Sequence, residues 1–317
     1  MKGFACDGRP EAEPLRFAAL GDSLTEGIGD PVGGGWRGWA ALLADGLAPA
    51  GSPVEFRNFA AGGAQTGDVL HRQLPEALDF APDVASVVVG VNDTLRAAFD
   101  IHAVAARLDT AYGALAGRGA LLLTACLPDP GALLGLPGFL ARPLARRQRA
   151  VNSVVHALSA RHAAAHLHAA DAAWTNDRAL WSADRLHPGE LGHRRFAARF
   201  HAVLADAGHA RGPAPGTEAD RPAPTRAAGL WWLATAGTGW VARRCTDLLP
   251  GLLALAADDV RHGLRGTRAR LDVRASAGVA AALASVPGLE PPPPACDHVA
   301  GVAAAAPGTS QPREARP

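Results

Sequence analysis

Leu15-Arg16-Phe17-Ala18-Ala19-Leu20-Gly21-Asp22-Ser23-Leu24-Thr25-Glu26-Gly27 is the stretch on which the reading of this chain turns. The short apolar run from Leu15 to Leu20 reads as a first strand, and the glycine-bounded Gly21 to Gly27 as the turn that ends it. A serine placed where a buried strand breaks into such a turn presents its hydroxyl at the carboxyl edge of the sheet, where open α/β sheets gather their ligands. Ser23 is therefore the first candidate nucleophile.

Outward from that strand, up to about residue 206, apolar runs alternate with amphipathic stretches, the pattern of a parallel sheet covered by helices on both faces. The expected strands are Phe17 to Leu20, Val54 to Phe59, Val84 to Val89, Ala120 to Thr124 and His166 to Ala170. The expected helices are Trp36 to Leu47, Thr66 to Leu78, Val104 to Leu115, Arg142 to Arg161 and Leu191 to Leu204. Right-handed crossovers would join the five strands into one doubly wound domain over residues 15–207, preceded by an arm at 1–14.

Residues 208–226, rich in proline, glycine and alanine, read as a linker. The apolar segment that follows, 227–260, is expected to be helical in two pieces broken near Gly237, Gly239 and Pro250. Its uncharged part, Ala227 to Ala242, carries Trp231, Trp232 and Trp240 and is shorter than the roughly twenty residues a membrane-spanning helix needs. Its candidate roles are packing on the domain, self-association, peripheral membrane contact or partner docking. From 261 to 317 the composition of alanine, arginine, glycine and proline predicts a disordered tail, because it offers little apolar surface to offset the entropy of ordering.

With 317 residues, 48% of them hydrophobic, the chain can bury a full core. Its 31 basic and 30 acidic residues nearly cancel and are spread along the sequence, so nothing calls for nucleic acid or an acidic partner. Cys6, Cys126, Cys245 and Cys296 include no Cys-x-x-Cys pair and no histidine at zinc spacing. They read as free thiols, and neither metal nor cofactor is expected. Met1 to Pro14 is charged and lacks the apolar core of a secretory signal, which makes the cytoplasm the expected location.

A serine hydroxyl needs a base to take its proton, and the base needs a partner that sets its tautomer. Ser182-Ala183-Asp184-Arg185-Leu186-His187-Pro188, just before the last helix of the domain, offers both. In a turn, Asp-x-x-His spacing lets the Asp184 carboxylate fold back to Nδ1 of His187 while Nε2 points to the nucleophile. Acyl transfer also needs donors for the oxyanion. Asn58-Phe59-Ala60-Ala61-Gly62-Gly63-Ala64 follows the second expected strand and Gly90-Val91-Asn92-Asp93 the third. A glycine amide there and the Asn92 side chain, with the Ser23 N–H, make three donors. Taken singly, Gly62-Gly63 is also a plain turn and Asn92-Asp93 a helix cap. Their common placement at the carboxyl ends of successive strands is what assembles them into one pocket.

These four blocks resemble those of the SGNH hydrolase superfamily, the GDSL esterases and lipases, which centre on a serine, a glycine, an asparagine and a histidine. Gly21 to Leu24 resembles the first block, Asn58 to Ala64 the second, Gly90 to Asp93 the third and Asp184 to His187 the last, over roughly residues 15–206. Gly63 is preferred over Gly62 because it lies five positions after Asn58, as in the family's second block. The resemblance implies a flavodoxin-like three-layer α/β/α fold with a five-stranded parallel sheet. It also implies metal-independent hydrolysis of esters or thioesters, with Ser23, Asp184 and His187 catalytic and Ser23, Gly63 and Asn92 around the oxyanion.

The Gly-x-Ser-x-Gly elbow of α/β-hydrolase lipases is absent from the sequence. Gly27, Gly29 and Gly33 to Gly35 do not match a dinucleotide loop and read instead as a flexible lip beside Ser23. Asp22 and Asp93 read as turn and cap formers. His193 reads as a surface residue, and Arg142, Arg146, Arg147 and Arg149 as a solvated face. Leu127 to Leu144 is either a covering loop or the wall of an acyl pocket. The expected function is carboxylic ester hydrolysis, with thioester or lysophospholipid cleavage and sugar deacetylation as variants. The rival is a non-catalytic module that binds acyl or glycan ligands.

Overall fold

β1 (Leu15–Gly21), β2 (Val54–Asn58), β3 (Val84–Val88), β4 (Leu121–Cys126) and β5 (Ala165–His168) form one parallel sheet in the order β2-β1-β3-β4-β5. They were located in a computed structural model that describes residues 13–49, 51–222, 225, 227 and 249–288. This is the flavodoxin-like strand order, whose direction of travel reverses at β1 and leaves a crevice outside the carboxyl ends of β1 and β3. Every expected strand is present, with bounds shifted by at most two residues at either end.

The longer helices among the described residues are α1 (Gly38–Leu47), α2 (66–80), α3 (Ile101–Gly117), α4 (Gly138–Arg161), α5 (Glu190–Asp206), α6 (Leu249–Leu264) and α7 (Arg268–Ala284). The pleat of each strand sorts side chains to two cores. Ala18, Leu20, Ala85, Val87 and Leu122 face α2, α3 and α4. Phe17, Ala19, Val84, Val88, Leu123 and Leu167 face α1 and α5, where Trp39 stacks on Phe200 at 5.0 Å between ring centroids. The result is the three-layer α/β/α architecture.

Two helices depart from their expected form. Trp36 belongs not to α1 but to a two-rung hairpin with Pro31–Val32. The chain needs Gly38 at its turn into α1, because φ is +69° and an added Cβ would stand 2.4 Å from the Cα of Gly27. α2 consists of three abutting segments, Thr66–Asp68, a π-helical stretch Val69–Gln73 and Leu74–Phe80. Widened turns of this kind shift the helical register and recur at functional sites.

The disorder expected from 261 onward is corrected for 261–288. α6 and α7 are formed, and Ala282, Leu283 and Val286 are buried in the core beside α3 and α4. Composition concealed this because a few apolar side chains on one helix face suffice when a large domain supplies the opposing surface. The reading of Arg142 and Arg146 as a solvated face is corrected too. Both pair with Asp259 of α6, at 2.9 and 3.6 Å, and Asp259 is fully buried. Arg147 donates to the Thr94 and Arg96 carbonyls instead of facing solvent.

Residues 208–221 contain neither helix nor strand, yet they are pinned to the domain. Gly212 N–H bonds the Gly46 carbonyl, and Arg221 pairs with buried Asp30 and Glu190. Trp231, Trp232 and Trp240, the arm at 1–12 and the segment 289–317 lie outside the described residues. No helix among the described residues is long and apolar enough to cross a membrane.

Candidate active site

Gly21 closes β1 with φ +154°, and a Cβ there would lie 2.3 Å from the Val88 carbonyl oxygen of β3, so only glycine lets the two strand ends meet. The next residue, Asp22, caps the helical turn Ser23–Glu26 by accepting the Leu24 N–H at 3.1 Å. That turn lifts Ser23 out of the strand at the edge of the crevice. From the π-helical part of α2, the buried Gln73 amide accepts from the Gly21 N–H at 2.8 Å and donates to the Gly21 carbonyl at 2.9 Å. Nothing in the sequence marks Gln73, since its reach depends on the register of that widened turn.

The loop before α5 is closed by an antiparallel bridge between Trp181 and Pro188 and by the Ser182 N–H donating to the His187 carbonyl at 2.8 Å. Asp184 Oδ1 accepts from the Ser182 hydroxyl at 2.7 Å and from the Leu186 and His187 N–H groups at 2.9 and 3.0 Å. Its Oδ2 lies 2.6 Å from His187 Nδ1. Burial alone would raise this carboxyl, but the hydrogen bond and charge of His187, with the other donors, hold it down to about 2. An ionised Asp184 can only accept, so Nδ1 of His187 carries the proton. His187 Nε2 thus turns a lone pair toward the Ser23 hydroxyl oxygen, 2.8 Å away.

Asn92, in the turn Val91–Leu95 after β3, donates from Nδ2 to the Ala64 carbonyl at 3.1 Å and, more weakly, to Asp22 Oδ2 at 3.4 Å. It therefore ties the second and third motifs to the first. Burial pushes the Asp22 carboxyl up to about 6. Asp93 accepts from the Thr66 N–H and hydroxyl and so anchors the first turn of α2. Gly63 adopts φ +81°, and a Cβ on Gly62 would stand 4.0 Å from that of Ser23. The 58–64 loop accordingly runs beside the serine, held by Asn58 Nδ2 on the Thr25 carbonyl at 2.8 Å.

A pocket of about 560 Å³, part of it open to solvent, adjoins Ser23, Asn92 and His187. Its walls are mainly apolar and include Leu127, Leu133, Trp174, Trp181, Leu186 and Phe196. Leu127, Pro128, Pro130 and Leu133 settle the reading of 127–144 in favour of a pocket wall for its first part. The sequence reading missed the two tryptophans. Their rings meet edge to face at 6.1 Å, and the available signal was that Trp181 directly precedes the Asp184 and His187 loop.

His193 is no surface residue: it is fully buried, and this corrects the expectation. Its Nδ1 accepts the Trp39 N–H at 3.2 Å and its Nε2 donates to the Ile28 carbonyl at 3.1 Å. Burial lowers it to about 4, so it stays neutral and holds the lip behind Ser23. The lip is packed at Gly29, where a Cβ would stand 1.9 Å from the carbonyl oxygen of Pro188, and open at Gly33 to Gly35, where it would meet nothing within 4 Å.

Comparison with known proteins bears on the family and the fold. The sequence profile of the GDSL-like lipase/acylhydrolase family matches residues 19–195. An arylesterase from Vibrio mimicus is 35% identical over 94 residues, 29% of this chain and 45% of that protein, so the match spans less than half of the relative's length. Among solved structures, a variant of Axe2, an acetyl-xylooligosaccharide esterase from Geobacillus stearothermophilus, gives a TM-score of 0.51 at 18% identity, covering 62% of this chain and 96% of that one. The acetylxylan esterase Axe2 itself gives 0.50 at 18% identity over 60% and 94% of the two chains. These structural likenesses speak for the fold. The profile match, which runs through all four motif blocks across more than half of the sequence, carries the assignment, and the chain belongs to the GDSL-like lipase/acylhydrolase family.

Proposed function

We propose that the protein hydrolyses carboxylic esters through an acyl-enzyme on Ser23, with His187 as base and Asp184 as its orienting partner. The observation that carries this reading is the unbroken relay from Asp184 Oδ2 through both nitrogens of His187 to the Ser23 hydroxyl, opening onto an apolar pocket. Ser23 Oγ attacks the ester carbonyl while its proton passes to His187 Nε2, and the imidazolium is stabilised by the Asp184 carboxylate. The Ser23 N–H, a glycine N–H of the 58–64 loop (Gly63 by preference) and the Asn92 amide receive the oxyanion. His187 then protonates the departing alkoxide, and a water activated by the same nitrogen releases the acid and restores the serine.

The walls support a narrower substrate class. Trp174, Trp181, Phe196 and Leu127 suit an apolar acyl or aryl group better than a sugar ring, which would leave its hydroxyls without partners there. This favours simple acyl or aryl esters, in keeping with the arylesterase relative, over sugar deacetylation. The catalytic unit is residues 15–207, with α6 and α7 packed against it. A fluorophosphonate probe and a panel of p-nitrophenyl esters of graded acyl length test the reading. The parent should be labelled and active and Ser23→Ala neither; labelling that survives Ser23→Ala would overturn it.

A further inference from the structure

Cys126 at the end of β4 and His166 and His168 on β5 bring one sulfur and two imidazole nitrogens within 4.8 Å of one another. Parallel pairing sets Thr124 beside His166 and Cys126 beside His168, so all four side chains point to one face of the sheet. On that face α4 contributes His156, whose ring lies 5.3 Å from those of His166 and His168. We propose that Cys126, His166 and His168, with His156 as fourth ligand, form a binding site for a borderline-soft divalent cation of the zinc or cobalt class, separate from the Ser23 centre. No Cys-x-x-Cys or His-x-x-His spacing announces it, because adjacent strands and a helix assemble the set and Cys126 lies thirty or more residues before the three histidines.

The hydrogen bonding around His166 supports a ligand role. Ser159 spends its one hydroxyl proton on the Val155 carbonyl. Thr124 must then donate to Ser159, at 2.7 Å, and accept in turn from Nδ1–H of His166, at 2.9 Å. This chain ends on a carbonyl and so runs in one direction only. It fixes the tautomer that leaves Nε2 of His166 unprotonated and aimed at the Cys126 sulfur, 3.2 Å away. Outer partners that orient a ring nitrogen in this way are a regular companion of metal-bound histidine.

The donor set is chemically apt as well. It holds thiol and imidazole without a carboxylate, which suits zinc, cobalt, nickel or copper and not magnesium or calcium. An incoming cation would displace the proton of the free Cys126 thiol: the S–H bond breaks, a sulfur–metal bond forms, and the proton leaves to water past exposed His168.

Titration of the untagged, reduced, chelator-treated full chain with Co²⁺ tests the proposal. One Co²⁺ per chain should bind with a thiolate-to-cobalt charge-transfer band in the near ultraviolet, and Zn²⁺ should displace it. Cys126→Ser should abolish the band. Thr124→Val removes only the oxygen that orients His166 and should weaken binding about 10- to 100-fold. Absence of saturable binding by the parent, or a band that persists in Cys126→Ser, overturns the site; unchanged affinity in Thr124→Val overturns the orienting chain.

Discussion

His187 Nε2 and Ser23 Oγ, 164 positions apart along the chain, stand 2.8 Å from each other. Their alignment depends on Asp184, whose Oδ1 is locked by three donors, the Ser182 hydroxyl and two backbone N–H groups. An asparagine at 184 must keep its oxygen in that position, which turns its NH₂ toward His187 Nδ1. The imidazole would then shift its proton to Nε2 and lose the ability to accept from Ser23. Asp184→Asn should lower kcat on the order of 10⁴-fold with the fold intact. Steady-state kinetics beside a circular dichroism melt checks this, and a loss of tenfold or less would contradict the tautomer argument.

Asn92→Ala removes an amide whose donors reach Ala64 and Asp22 in the free protein and the oxyanion in the proposed intermediate. The expected cost is about 10²- to 10³-fold in kcat, with KM little changed. Hydrolysis of short p-nitrophenyl esters at the parent rate would remove Asn92 from the oxyanion site.

Asp22 titrates at about 6 in the folded chain because burial disfavours its charge, whereas an unfolded aspartate titrates near roughly 3.9. The folded state therefore binds this proton more tightly. The stability it confers is full below about pH 4 and is lost as pH rises through 6. Asp22→Asn stays neutral and keeps an oxygen for the Leu24 N–H. Its advantage over the parent should grow from pH 4 to pH 7.5, to on the order of 3 kcal/mol. The opposite slope from neutral, buried His193 is common to both proteins and cancels in the difference. Urea denaturation at the two pH values measures it, and a difference that does not change with pH would refute it.

Gly29→Ala introduces a methyl group 1.9 Å from the Pro188 carbonyl oxygen at a residue with φ +108°. Strain of about 1–3 kcal/mol should result, and because Pro188 follows His187, kcat should fall with it. Gly33→Ala is the control: φ is positive there too, at +60°, but a Cβ would meet nothing within 4 Å. Thermal melts and kcat for the pair separate crowding of the histidine loop from the general cost of alanine at positive φ. Equal effects from both would contradict the support assigned to Gly29.

The parallel sheet was legible in the sequence because strands buried on both faces are short apolar runs, and Val84 to Val88 or Leu121 to Cys126 can be little else. The motif residues were legible because turns at strand ends carry glycine, aspartate, asparagine and serine for local backbone reasons. Gln73, His193, Trp174 and Trp181 were not legible, since a glutamine, a histidine or a tryptophan on a helix or loop has no local pattern that tells which way it faces. α7 was hidden for a related reason: its alanine-rich face becomes apolar core only when α3 and α4 lie opposite.

The sequence by itself thus determined the α/β class, the order of elements and the residues able to carry acyl transfer, all of which follow from short-range periodicity and turn chemistry. Tertiary structure alone decided which lone pair of His187 faces Ser23, how Asp184 is held ionised, what walls the pocket, and that a cysteine and three histidines share one face of the sheet. Those are matters of distance between segments that chain order leaves far apart. Only packing of the strands and their covering helices sets such distances.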